Sequence, residues 1–402
     1  MIDLLAKIFI KDHKNYGDAK IREKYGLLCS VAAIVLNVLL AIAKFIVGTL
    51  AASLSITADA VNNLTDAGSS VLSFIGFKFS GKKPDPDHPF GHGRIEYVTS
   101  MAVSAIILIA GVNSFNSSVV SAYYRVANLI SPDKFAAPET MEFSYVALAV
   151  LIMSIAVKFY MSYFMKKTGE KIDSTVMKAT SADALGDTVS TAVTLACLLI
   201  FKFFKIDLDA FAGVFVSLVI IKAGIDSGKE TLEKLLGSKP TKELVDGIKK
   251  TVMDEYPEVT GIHDMIIHDY GPGRFMVSLH AEMDGSGDIY EMHDVTDRIA
   301  MTLTHVYGCE AVVHLDPVDN KDETVIKYRK DIIEAVARVS EELEPHDVRV
   351  VPGHTHTNLI FDVVVPFKYK MTDSEVKAAI SEEIKKIHPD CICAIMVDRP
   401  YI

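Results

Sequence analysis

Tryptophan is missing from the 402 residues, so any aromatic belt at a membrane–water boundary must be built from tyrosine and phenylalanine. Cysteine is scarce. There are five, with Cys29 and Cys197 inside hydrophobic runs and none in a CxxC pair. This scatter gives no disulfide framework and suits a reducing compartment. Basic charge is in deficit, with 41 Lys and Arg against 52 Asp and Glu and a formal charge of −11. Nucleic-acid binding leaves a basic footprint, so that class of partner is set aside. Neither a GxxxxGK[ST] loop nor a GxGxxG fingerprint occurs, so nucleotides have no evident cradle.

What is abundant is apolar material: half of all residues, concentrated in long runs between residues 27 and 228. A bilayer span takes about 20 apolar residues. The runs predict six transmembrane helices, at 27–50, 55–79, 95–122, 142–165, 175–203 and 207–228. The first exceeds the apolar core of a signal peptide, and no small-residue cleavage site follows it, so no secretory signal is expected. Basic residues gather in the arm of residues 1–26 (Lys7, Lys11, Lys14, Lys20, Arg22, Lys24), in the loop with Lys82, Lys83 and Arg94, and in the loop with Lys166, Lys167 and Lys171. The bias of Lys and Arg toward cytoplasmic loops places both termini in the cytoplasm. Compact loops and the lack of a targeting segment point to a prokaryotic cell membrane.

From about Lys229 the composition becomes that of a soluble domain. The periodicities read α-β-β-α-β twice, predicting two α/β ferredoxin-like cytoplasmic domains at 238–319 and 320–402. The first copy has strands around His263–His268, Phe275–Met283 and Ala311–Leu315. The second has a helix Glu323–Leu343, strands near Val348–Val351, Leu359–Val365 and Cys391–Val397, and a helix Ser374–Ile387.

The informative residues are acids inside the hydrophobic runs. The second predicted helix carries Asp59, Asn62, Asn63 and Asp66, and the fifth carries Asp183 and Asp187. Positions i and i+4 share a helix face, so Asn62/Asp66 and Asp183/Asp187 form two polar pairs. Each mid-membrane Asp costs roughly 2.5–3.5 kcal/mol, which is more than interhelical hydrogen bonding returns. A divalent cation between the pairs offsets that cost. Asp59 lies beyond the Asn62/Asp66 pair and suits an exit path. Asn37, Asn63 and Asn113 read as interhelical hydrogen-bonding residues.

The six-helix layout, the A-D-x-x-N-x-x-x-D run ending at Asp66 and the D-x-x-x-D of Asp183 and Asp187 resemble the cation diffusion facilitator family. So do the loop Asp87-His88-Pro89-Phe90-Gly91-His92-Gly93-Arg94 and the segment Val313-His314-Leu315-Asp316-Pro317. The resemblance covers about residues 20–318 and does not extend to the second tail copy. It implies a divalent metal efflux transporter, not an enzyme, working as a homodimer by proton-coupled alternating access. It also implies a tetrahedral transport site at Asn62, Asp66, Asp183 and Asp187. All four donors there are oxygens, which suit Mn²⁺ better than Zn²⁺, and the combination resembles the manganese-exporting branch. Zn²⁺ or Fe²⁺ efflux is the alternative, because intrinsic affinities favour zinc over manganese in most sites. A membrane-anchored metal sensor or scaffold is the alternative of another class. A metal-dependent membrane enzyme finds no catalytic constellation to support it.

The resemblance further implies two secondary metal sites. One is Asp85, His88 and His92 in a Pro- and Gly-rich loop; the other is His263, His280, His314 and Asp316 on the tail strands, with His293 as a helix candidate. Neither His354-Thr355-His356 nor Cys391-Ile392-Cys393 has a strong ligand signature.

Overall fold

The computed structural model describes residues 6–8, 10, 16, 19–50, 54–130, 145–204, 206, 208–319, 321–353 and 356–400. The chain divides into two compact units. One holds Met1–Ser238 with Asp269–Arg274; the other holds Lys239–His268 with Phe275–Ile402.

The first unit is built from α1 (Ala19–Leu50), α2 (Leu54–Ser80), α3 (Ile95–Ile130), α4 (Tyr145–Lys171), α5 (Thr175–Phe204) and α6 (Asp209–Leu236). Among the described residues, five of these are long and apolar enough to cross a membrane. The other, α2, is the helix that carries Asn62, Asn63 and Asp66. Helices α3, α4 and α6 run past their predicted ends at 122, 165 and 228. Once a helix is nucleated, backbone hydrogen bonding continues through polar turns. Basic side chains in the last turn, Lys171 in α4 and Lys234 in α6, favour the helix C-terminus. The start predicted for the fourth helix, residues 142–144, lies outside the described residues.

The polarity of this unit is inside out relative to a soluble protein. Ser30, Asn37, Ser73, Ser100, Ser104, Ser162, Thr180, Ser181 and Thr188 are buried, while Leu39, Ile42, Phe45, Ile109, Phe159, Tyr163 and Phe215 are exposed. Lipid is as apolar as a leucine side chain, so helices associate through small residues and hydroxyls instead of hydrophobic burial. Ser73 donates to Ser69 O, Thr180 to Val176 O and Thr188 to Ala184 O, each one turn back on its own helix. The α3–α6 contact shows the close approach that small residues allow. A Cβ on Gly111 would stand 2.9 Å from Ile221, and one on Gly224 would stand 2.9 Å from Leu108. Hydroxyl pairs bridge the same contact, Ser100–Thr231 at 2.8 Å and Ser104–Ser227 at 2.9 Å. The C-terminal end of α4 is closed by Arg22 of α1. Its buried guanidinium donates to Ile172 O, with Nε at 2.6 Å, and satisfies a carbonyl beyond the last helical turn.

The second unit repeats α-β-β-α-β. The first copy is α7 (Lys242–Glu255), β1 (Val259–Asp269), β2 (Phe275–Asp284), α8 (Ile289–Tyr307) and β3 (Glu310–Val318). The second is α9 (Glu323–Val339), β4 (Glu344–Pro352), β5 (Thr357–Val364), α10 (Asp373–Ile387) and β6 (Cys391–Asp398). Each copy has a three-stranded sheet, ordered β1-β2-β3 and β4-β5-β6. β2 and β3 pair in parallel with His280 opposite His314, and β5 and β6 do so with Asp362 opposite Met396. Helix starts are capped as the sequence dictates: Thr241, Asp288 and Asp322 accept from N-terminal backbone amides, and Thr372 with Glu375 forms a capping box. Each copy has its own core, around Ile248, Leu279, Ile299 and Leu303 in one and Val336, Phe361, Val376 and Ile380 in the other. Two boundaries differ from the sequence reading. The helix expected to reach Leu343 stops at Val339, because Ser340 is extended. The following strand begins at Glu344, four residues before the predicted Val348, and so includes His346.

Candidate metal sites

In the first unit the structure gathers three carboxylates from two helices. Asp66 on α2 and Asp183 and Asp187 on α5 each offer an oxygen, all within 4.8 Å of one another. A fourth residue stands among them. Lys158 on α4, with a side chain only 3% exposed, places Nζ 2.6 Å from Asp66 Oδ2 and 2.7 Å from Asp187 Oδ2. At these distances Lys158 donates to both carboxylates. The sequence reading passed over Lys158, although a lone cation in the middle of an apolar run was the available signal. Asn62, one turn before Asp66, is exposed. The side chain of Asp59 lies outside the described residues. Asn37, expected to bond between helices, is buried with neither side-chain atom partnered among the described residues.

The loop residues Asp85, His88 and His92 come together. His88 Nδ1 lies 3.2 Å from Asp85 Oδ1, and His92 Nε2 lies 3.4 Å from Asp85 Oδ2. Reciprocal backbone bonds between Asp85 and His88 and a left-handed Gly91 hold this turn. His92 is buried with Nδ1 unpartnered, His88 is exposed and Asp85 is half-buried.

In the tail, Asp316 on β3 is the hub. His280 Nδ1 stands 2.9 Å from its Oδ2, His263 Nε2 stands 3.0 Å from the same oxygen, and His314 Nε2 stands 3.3 Å from Oδ1. His263, His280 and Asp316 have metal-ligand separations, whereas His314 is largely exposed. His293 points elsewhere, pairing with Asp297 on the surface of α8. Burial works against the imidazolium of His263. Asp316, Asp264 and Glu282 outweigh it and hold the His263 pKa above the ordinary histidine value. Burial would likewise raise Asp316, but His263 and His280 pull its pKa below the usual carboxylate value.

The tail also holds ligand-type residues that the sequence reading did not name. His346 lies among Asp264, Asp362 and Asp398, and its ring centroid is 4.9 Å from that of His263. The signal was a repeated doublet, His263-Asp264 and His346-Asp347, at the first strand of each copy. Of the second-copy segments weighed from sequence, His354 and Thr355 lie outside the described residues. Cys391 is buried, and Cys393 faces a partly buried environment that raises its thiol pKa to about 11.

Comparison with known proteins follows the same division. The family model for the cation efflux transmembrane domain matches residues 30–236, and that for the cation efflux protein cytoplasmic domain matches residues 240–318. An uncharacterized transporter of Methanocaldococcus jannaschii is 32% identical over 290 residues, covering 72% of this chain and 97% of that one. The manganese efflux system protein MneS of Bacillus subtilis is 27% identical over 309 residues, covering 77% and 100%. Metal tolerance protein C1 of Arabidopsis thaliana is 25% identical over 382 residues, covering 87% and 78%. That coverage is too great to stop at residue 318, so this alignment enters the second tail copy.

Proposed function

Because the chain belongs to the cation diffusion facilitator family of divalent-metal efflux transporters, we propose that it exports Mn²⁺ from the cytoplasm in exchange for protons. The observation that carries this reading is the cluster of Asp66, Asp183 and Asp187 around the Lys158 ammonium. Its donors are all hard oxygens, with neither imidazole nor thiolate, which suits Mn²⁺. Asn62, one turn from Asp66 on the same face, supplies an amide oxygen as the fourth donor once the ion is bound. The likeness to a manganese efflux protein agrees with this donor set. Zn²⁺ or Fe²⁺ is the competing cargo, since Zn²⁺ binds more strongly than Mn²⁺ to most sites.

Charge counting gives the exchange a definite form. Three carboxylates and one ammonium sum to −2, which either one divalent ion or two protons cancels. A low-dielectric site strongly favours neutrality. The cycle is therefore one ion outward for two protons inward, with the carboxylates deprotonated to bind and protonated to release. Lys158 holds the place of a cation in the metal-free state, and the incoming ion displaces its ammonium from Asp66 and Asp187. Both termini lie in the cytoplasm, and the protein acts as a homodimer through the matched cytoplasmic domain.

The test is uptake into reconstituted vesicles under an imposed pH gradient, comparing Mn²⁺ with Zn²⁺ and wild type with Asp183→Ala. Mn²⁺ accumulation with about two protons moved per ion, lost in the variant, is the expected result. Zinc-only transport would overturn the cargo, and transport that survives in Asp183→Ala would overturn the site.

A further inference from the structure

The two halves of the tail carry their ligand-type residues at equivalent positions. In the first copy these are His263 on β1, His280 on β2 and Asp316 on β3. In the second they are His346 on β4, Asp362 on β5 and Asp398 on β6. The separation between the second and third members, 36 residues in the first copy, is the same in the second. The strand registers agree as well, because His280 faces residue 314 and Asp362 faces residue 396, two positions before the terminal Asp of each set. Even the backbone repeats. The Asp after each β1 or β4 histidine has a left-handed φ, 47° at Asp264 and 49° at Asp347, a conformation that non-glycine residues rarely adopt.

From this duplication we propose that the second copy forms a metal site of its own, with His346, Asp362 and Asp398 as ligands. The ligand is a divalent first-row transition metal. His346 Nε2 is buried and without a hydrogen-bond partner among the described residues. It lies 3.6 Å from Asp264 Oδ1 and 3.6 Å from Asp398 Oδ2, too far for hydrogen bonds. Ligands about 2.0–2.2 Å from a tetrahedral ion stand roughly 3.3–3.6 Å from one another. The separation of Nε2 from Asp398 is therefore that of two ligands of one ion and not that of a hydrogen bond. One imidazole and two carboxylates form a donor set suited to Mn²⁺, Fe²⁺ or Zn²⁺.

The copies are not identical, and the differences define the site. His280 is replaced by Asp362 and His314 by Met396, so the second site is harder and more anionic than the first. Asp347, the counterpart of Asp264, is held by Arg349 at 2.8 Å. Asp264 groups instead with His263 and His346, between the two sites. The His263 and His346 rings lie 4.9 Å apart, tilted by 48°, so the two sites adjoin and each binding event is sensed by the other.

The experiment counts bound Mn²⁺ and Zn²⁺ per chain after equilibrium dialysis of the full-length protein in detergent. It uses an Asp183→Asn background so that the count does not depend on the transport site. His346→Ala and, as an isosteric check, Asp398→Asn are each expected to lose one bound ion per chain. His280→Ala should lose a different one, and the His280→Ala/His346→Ala double variant two, with the tail still folded by circular dichroism. Unchanged stoichiometry in both Asp398→Asn and His346→Ala would overturn the proposal, as would loss of all tail metal in His280→Ala alone.

Discussion

Lys158 reduces the question of cation specificity to a single side chain. In the proposed cycle its ammonium, which donates to Asp66 and Asp187, competes with metal for those oxygens, so removing it should tighten metal binding and slow release. Lys158→Met is expected to bind Mn²⁺ about tenfold more tightly or better, a modest share of the roughly 4 kcal/mol that a nearby charge exerts at intermediate dielectric. Its turnover should fall, while Lys158→Arg keeps affinity near wild type. Calorimetry at fixed pH reads this directly, and weaker binding in Lys158→Met would refute the competition. A second residue-scale prediction concerns His263. Its folded pKa lies above the ordinary value of about 6.5. The ion pair therefore stabilises the metal-free tail fully below that value, and the stabilisation disappears as pH rises through the folded pKa. Histidine hydrogen–deuterium exchange on metal-stripped protein should place His263 above the ordinary value and return it toward that value in Asp316→Asn. A wild-type His263 that titrates at or below the ordinary value would contradict the pairing. That Asp66, Asp183 and Asp187 would come together was legible because an Asp in a hydrophobic run is costly and stands out. Lys158 was less so, since which helix would bring it to the acids depends on packing that no single run encodes.

Among the elements, the helices and strands followed closely from apolar runs, alternation and capping residues. The differences came where polar turns extend a helix, as in α4 and α6, or where a short strand carries a break in register, as between His346 and Arg349 in β4. That break interrupts the alternation from which a strand is read, and it hid the ligand pattern of the second copy. The α3–α6 contact could not be read from sequence either, because glycines within an apolar helix mark a close approach without naming the partner. It makes its own prediction. Gly111→Leu forces a side chain into Ile221 and its backbone and should destabilise the helix pair by about 1–3 kcal/mol, the usual cost of overpacking. A lowered melting temperature in detergent would show this; Gly68→Ala, whose added Cβ meets nothing within 4 Å, serves as the control.

At the scale of the whole molecule, the second tail copy is the part that neither family model reaches. The matched cytoplasmic domain ends at residue 318, yet residues beyond it supply His346, Asp362 and Asp398. Truncation after residue 319 is expected to leave Mn²⁺ transport through Asp183 measurable in vesicles while removing one tail-bound ion per chain. Loss of transport altogether would show that the second copy is needed for folding. Within the second unit, His263 and His346 are joined by one continuous chain, with residues 319–322 between the copies. Their local concentration is set by that connection, on the order of millimolar for a short linker, and not by how many copies the membrane holds. Halves drawn from separate chains would make the response depend on expression level. Joined in one polypeptide, the two proposed sites keep one metal affinity whatever the level at which the protein is made.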